Sequence, residues 1–282
     1  ASGSATLGRT IAVVGAKGGV GASTIAHNVA WAIARNLDAS TVIADLDIAF
    51  GTAGLDFNQD PPQGIADAVF APERLDANML DRLLSRCSEN LSLLAAPAML
   101  DRTIDLGEDA FDLLLDLLRT SVPCIVLDVP HLWTGWAKRA LVGADEVAIV
   151  AAPELASLRN AKNLVDLLRA ARPNDAMPRL ILNQVGLPKR PEIEAAEFAK
   201  ALGIEVMSSI PFDAQLFGTA ANNGQMIAEV QAGSKVADVF VQIGTALTGR
   251  GEQKRGKRSL FEPLVAKRSE EHTSELQSRI TI

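Results

Sequence analysis

Gly15-Ala-Lys-Gly-Gly-Val-Gly-Ala-Ser-Thr24 follows the β-branched run Thr10-Ile-Ala-Val-Val14 and leads into the Ala-rich stretch Ser23 to Asn36. Strand, glycine loop, hydroxyl and helix therefore stand in the order that a phosphate-binding loop needs. Glycines at 18, 19 and 21 allow backbone N–H groups to converge on phosphate oxygens, because glycine reaches conformations that a Cβ forbids. The expected cradle is Gly18, Gly19, Val20, Gly21, Ala22, Ser23 and Thr24. The helix that begins near Ser23 aims its positive end at the same place. The Ser23 hydroxyl stands where a Mg²⁺ ion would be ligated. The ligand expected is a nucleoside triphosphate, ATP with Mg²⁺.

Outward from this loop, strand and helix patterns alternate. Short apolar runs at Thr41-Val-Ile-Ala44, Leu91 to Ala95, Pro123 to Leu127, Glu146 to Ala151, Arg179 to Asn183 and Glu205 to Ser208 read as buried strands. Helical spacing appears over 76–86, 108–119, 155–171, 191–202 and 233–247, and Asp56 to Gly64 reads as a loop with two prolines. This pattern predicts an α/β fold of the P-loop NTPase type: a mostly parallel β-sheet with helices on both faces and right-handed crossovers.

Composition agrees. The chain has 282 residues, 48% apolar and 22% charged, and only 4% aromatic with no Tyr. The core must rest on Ala, Leu, Val and Ile. Cys87 and Cys124 are too few for a disulfide framework, and the three histidines, His27, His131 and His272, match no zinc spacing. A reducing cytoplasm is the natural setting. No apolar run approaches the ~20 residues that span a bilayer. Net charge is −7, but residues 250–267 hold six basic and two acidic residues, which leaves an acidic body. That body argues against broad duplex-DNA binding, which needs a basic face.

The loop departs from the ordinary P-loop at one position. Lysine normally precedes the Ser/Thr; here Ala22 does, and Lys17 stands before Gly18-Gly19 instead. The segment resembles the deviant Walker A motif of the ParA/MinD superfamily. With alanine at the usual lysine position, it is most similar to the CpaE/TadZ branch, which serves assembly and polar placement of type IV (Flp/Tad) pili. The resemblance runs over residues 8–248, the expected ATP-binding domain. It implies that Lys17 reaches the phosphates of a partner subunit, so that ATP drives a homodimer with slow or negligible hydrolysis. It implies that Asp47, in Asp45-Leu-Asp47, helps position water and the Mg²⁺ shell, and that Asp128, in Val126-Leu-Asp128-Val-Pro130, holds Mg²⁺ as the Walker B residue. Asn183 and the Ile210-Pro211-Phe212-Asp213 segment would contact the base. Turn-forming Asn or Asp residues would look the same. Pro153-Glu154 resembles a structural, dimer-lining segment. Pilus or secretion assembly proteins are the implied partners, at a cell pole or the inner-membrane periphery. A receiver-like domain would precede the chain.

Two competing functions share these motifs: DNA partitioning of the ParA type and membrane-associated placement of the MinD type. Ala22 weighs against both, since those groups keep lysine there. The basic stretch 249–267 could touch an anionic membrane, but Pro263 interrupts any helix and its apolar face is short, so a solvated tail is the plainer reading. Residues 268–282 resemble a translated sequencing adapter. Trp133 and Trp136 read as packing or docking residues. His131 receives no role. With no cysteine after Cys124, an iron–sulfur role is rejected.

Overall fold

The computed structural model describes residues 7–96, 100 and 104–250. The chain divides into two units, Ala1–Gly244 and Thr245–Ile282, the second described only over 245–250. Within the basic tail, residues 251–267 lie outside the described residues, as does the whole of 268–282.

Among its described residues the first unit carries eight strands: β1 (Arg9–Gly15), β2 (Thr41–Asp45), β3 (Leu84–Arg86), β4 (Leu91–Leu94), β5 (Cys124–Val129), β6 (Glu146–Ala151), β7 (Arg179–Val185) and β8 (Val206–Pro211). They form one sheet in the order β3-β4-β2-β5-β1-β6-β7-β8, and every pairing is parallel except β3 with β4. Strands β2, β5 and β6 are buried at every residue, as β-branched and Leu-rich runs covered on both faces should be. This is the mostly parallel α/β sheet expected from the alternation.

Helices α1 (Ala22–Asn36), α2 (Ala53–Asp56), α3 (Ile65–Phe70), α4 (Ala77–Leu83), α5 (Asp112–Ser121), α6 (Gly135–Gly143), α7 (Leu155–Ala171), α8 (Ala195–Leu202), α9 (Ala214–Asn223), α10 (Ile227–Val230) and α11 (Lys235–Leu247), with a 3₁₀ turn at Pro72–Arg74, complete the elements among the described residues. Helix α1 is buried continuously from Ile25 to Ala34. Its alanines explain how: small side chains let neighbours close in from several sides. Gly244 continues the same logic, since a Cβ there would come 2.9 Å from Ile33 Cγ1.

Three local expectations are revised. The helix expected to run to Arg86 stops at Leu83, because residues 84–86 pair antiparallel with β4 and extend the sheet. Helix α8 begins at Ala195 rather than Pro191. There Glu192 accepts from the amides of Gly186 and Leu187 and pairs with Arg190, which keeps the preceding segment a loop. Strand β8 continues through Ile210 and Pro211, which an edge strand tolerates at its end. Helices α6 and α9 and the short α2, α3 and α10 had no sequence expectation. No helix among the described residues is long and apolar enough to cross a membrane.

Candidate functional site

The order of strands reverses at β1: β2 and β5 lie on one side of it, β6 and β7 on the other. In a parallel sheet this switch point, at the carboxyl ends of the strands, leaves a crevice for a ligand. The glycine loop leaves β1 at this point.

The loop has the form the sequence required. Gly19 and Gly21 sit at φ +82° and +83°. Gly21 is the N-cap of α1 and no side chain caps it. Among the described residues no hydrogen bond engages the amides of residues 17–24. A run of free N–H groups at an uncapped helix start is a donor set for an anion, so these residues fit a polyphosphate. Gly21 is irreplaceable for a second reason: a Cβ there would lie 2.6 Å from Asn183 Nδ2. Gly21→Ala should therefore weaken nucleotide binding by about 5- to 30-fold, since left-handed backbone alone costs a side-chain-bearing residue roughly 1–2 kcal/mol. Titration with a fluorescent ATP analogue measures this, and an unchanged affinity would refute it.

Strand register sets the acidic groups. Asp45 at the end of β2 lies opposite Asp128 on β5, and Asp128 lies opposite Val13 on β1. Both carboxylates are buried. Between them and α2 stands His27, one turn after Ser23 on α1 and fully buried. Its Nδ1 lies 2.7 Å from Asp56 Oδ2 and its Nε2 lies 3.2 Å from Asp128 Oδ2. Burial alone would lower the imidazole pKa, but the adjacent carboxylates of Asp128 and Asp56 override it and raise it to about 10. His27 is therefore an imidazolium at neutral pH. Burial, reinforced by the Asp128 carboxylate, raises Asp45 to about 7.

Asp45 and Asp47 divide the work of one loop. Asp45 accepts from the amides of Asp47 and Ala53, and Gly51 packs so closely on its carboxylate that a Cβ would fall 2.3 Å from Oδ2. Asp47 is half-buried and its Oδ1 accepts from Phe50. Ser23, in the first turn of α1, and Asp128, near the end of β5, offer oxygen donors of the kind that Mg²⁺ takes, an ion that accepts one or two protein carboxylates, keeps waters and borrows phosphate oxygens. No cluster of three or more His, Cys, Asp or Glu able to hold a metal by itself occurs among the described residues. An ion here would accordingly depend on the nucleotide for its remaining ligands.

The other expected residues scatter. Lys17 is ion-paired with Glu154 of its own chain, the N-cap residue of α7. Asn183, buried at the end of β7, donates from Nδ2 to the Val20 carbonyl at 2.8 Å. Pro211 is exposed and registers with Val185, and Asp213 caps α9 by accepting from the Leu216 amide. Neither is hydrogen-bonded to the loop among the described residues. Trp136 is buried against Phe111, with ring centroids 4.9 Å apart, whereas Trp133 is 56% exposed.

Five contributors went unread in the sequence: His27, Asp56, His131, Asn160 and Gln184. A polar residue one turn after Ser23 in an alanine-rich helix was a signal for His27. His131, which had received no role, places Nδ1 3.0 Å from the Gly15 carbonyl. Nothing local marked Asn160 or Gln184.

Residues 11–226 match the model of the CobQ/CobB/MinD/ParA nucleotide binding domain. The septum site-determining protein MinD of Helicobacter pylori is 26% identical over 270 residues, which cover 90% of this chain and 97% of that protein. MinD of Escherichia coli K12 is 26% identical over 265 residues, covering 90% and 94%. A ParA family ATPase from Chlorobium tepidum superposes with a TM-score of 0.75 at 26% identity, covering 84% of this chain and 98% of that one. MinD of Pyrococcus horikoshii, solved with Mg-ADP, has the same fold at a TM-score of 0.75 and 20% identity, covering 90% and 100%. Loop, sheet and similarity agree, and the chain belongs to the CobQ/CobB/MinD/ParA nucleotide binding domain family.

Proposed function

We propose that this chain is an ATP-dependent dimeric switch that places or assembles a larger cellular structure and turns ATP over slowly. The observation that carries this reading is the pair Ala22 and Lys17. Ala22 leaves the loop one cation short within the subunit, and Lys17 is the residue that can restore it from a second subunit. Phosphoryl transfer depends on positioning and charge neutralisation, so a loop short of one cation should hydrolyse poorly as a monomer. Exposed apolar side chains on the segments that meet this loop favour a partner: Leu132 and Trp133 follow His131, and Leu155 follows Glu154.

In this reading the amides of Gly18 to Thr24 bind the phosphates, and Ser23 and Asp128 would hold Mg²⁺, with Asp47 orienting water near it. When bound, Mg²⁺ neutralises phosphate charge and fixes the phosphate geometry. Asn183, Pro211 and Asp213 would border the base.

Which structure is placed divides into two readings. The similarity to septum site-determining proteins and to a ParA family ATPase supports placement or partitioning of the MinD or ParA type better than pilus assembly. Assembly of Flp/Tad pili is the narrower reading, and it rests on alanine at position 22. Both predict the same biochemistry. Sedimentation should show a monomer with ADP and a dimer with ATP, alongside slow phosphate release. A strict monomer with brisk hydrolysis would overturn the proposal.

A further inference from the structure

Four side chains from three elements outside α1 reach the carbonyl oxygens of the glycine loop. His131, after β5, meets Gly15 through Nδ1 at 3.0 Å. Asn160 of α7 donates from Nδ2 to Ala16 at 2.9 Å. Asn183 of β7 donates from Nδ2 to Val20 at 2.8 Å, and Gln184 donates from Nε2 to Gly19 at 2.9 Å. Consecutive residues of a strand point to opposite faces. Asn183 and Gln184 nonetheless reach the same loop, because Gln184 adopts φ +57°. Arg190 holds that turn by donating to the Gln184 carbonyl.

The consequence follows from the planar trans peptide, in which the carbonyl of one residue and the amide of the next point in opposite directions. Carbonyls 16, 19 and 20 are drawn toward the surrounding side chains, so amides 17, 20 and 21 turn the other way, into the loop. The amide after Gly15 is already spent on the sheet, since Ala16 donates to Val150 at 2.8 Å. Hence His131 and β6 anchor the start of the loop, and the three amide side chains shape its remainder.

We propose that Asn160, Asn183 and Gln184, with His131 at the base, are positioning residues that pre-form the phosphate cradle in a loop that lacks a lysine at position 22. This deepens the nucleotide-binding reading and rests on it. An anion site built from backbone N–H groups loses affinity when those groups must first be turned inward. With one cation missing, pre-set amides supply a larger share of the attraction. The assignment also gives Asn183 work on the phosphate side of the site, whereas the family resemblance had put it against the base.

Gln184→Glu and Asn160→Asp test this, because each keeps the shape and swaps the donating NH₂ for an accepting oxygen facing a carbonyl. Gln184→Ala is the milder control at this half-exposed position. Three quantities are measured: displacement of a fluorescent ATP analogue by ATP and by inorganic tripolyphosphate, melting temperature without nucleotide, and amide exchange of residues 15–24. Each acidic variant should weaken ATP and tripolyphosphate alike by about tenfold, and the uncharged Gln184→Ala should weaken both by a few-fold, the effect of leaving one carbonyl unpaired; a loss confined to the charged variants would mean charge repulsion and would overturn the assignment. Loop amides should exchange faster with ATP present, while melting without nucleotide moves little. Weaker ATP with unchanged tripolyphosphate would mean that these side chains serve the base, and would overturn the assignment. Unchanged affinity for both would overturn it as well, and would leave nucleotide binding by the wild type standing. A wild-type chain that binds neither ligand would overturn the nucleotide reading and the cradle together.

Discussion

His27→Ala should lower the unfolding free energy by about 3–5 kcal/mol, the cost of removing one partner from a buried ion pair. The imidazolium is fully buried between Asp56 and Asp128, and Asp45 lies opposite Asp128 in the sheet. Alanine would leave three carboxylates without the cation that joins α1, α2 and β5. The rise of the His27 pKa from 6.5 to about 10 gives a similar figure, roughly 5 kcal/mol at 1.36 kcal/mol per unit. Thermal or urea unfolding in metal-free buffer measures the effect. A variant that melts within a degree or two of the wild type would show that the cluster holds nothing together.

The same group sets a pH dependence. The folded pKa lies above the unfolded one, so the folded chain binds the extra proton between them. Stability from His27 is complete below pH 6.5 and is lost as pH rises through about 10. Asp45 is also raised, from 3.8 to about 7, so its contribution has the same sign and falls away below neutrality. The window from pH 7 to 10 therefore belongs to His27. The wild-type melting temperature should fall across it, and the difference between wild type and His27→Ala should shrink there. A constant difference would contradict the assignment.

Lys17→Ala should weaken the ATP-driven dimer by on the order of 100-fold or more. A charge-assisted hydrogen bond is worth about 1.5–3 kcal/mol, and a two-fold interface carries two of them. The structure adds a competing partner, because Lys17 is already paired with Glu154 in its own subunit. For Lys17 to cross to a second subunit, that pair must open. Side-chain exposure of 42% for Lys17 and 28% for Glu154 makes it a half-solvated pair, worth about 0–1 kcal/mol. Opening it costs less than the phosphate contact returns, so the trans contact should win once ATP is bound. Glu154→Gln should accordingly tighten the dimer only a few-fold. Sedimentation of both variants with ATP and with ADP gives both numbers. Loss of dimer in Glu154→Gln would mean that Glu154 builds the interface rather than restraining Lys17.

The residues that determined most from sequence were those whose chemistry is local. Gly15 to Thr24 specified a loop, a hydroxyl and a helix start within ten positions, because φ > 0, free amides and a helix terminus are all short-range properties. The central strands were legible for a related reason: strands covered on both faces must be largely apolar, and Thr41–Ala44, Pro123–Leu127 and Glu146–Ala151 read that way after their first residue. Residues 84–86 were not legible, since only pairing with β4 distinguishes them from the end of a helix. The site's polar framework was equally out of reach. His27 acquires its charge from Asp56 and Asp128, which stand 29 and 101 positions away in the chain. Asn160 and Gln184 meet the loop from 144 and 165 positions away. Burial and hydrogen-bond partners at such separations arise only once the sheet has brought β1, β5, β6 and β7 side by side. Thus the sequence determined the glycine loop and the helix start that follows it, and the tertiary structure decided which side chains meet the loop carbonyls, which carboxylates flank the buried His27, and that Lys17 pairs with Glu154.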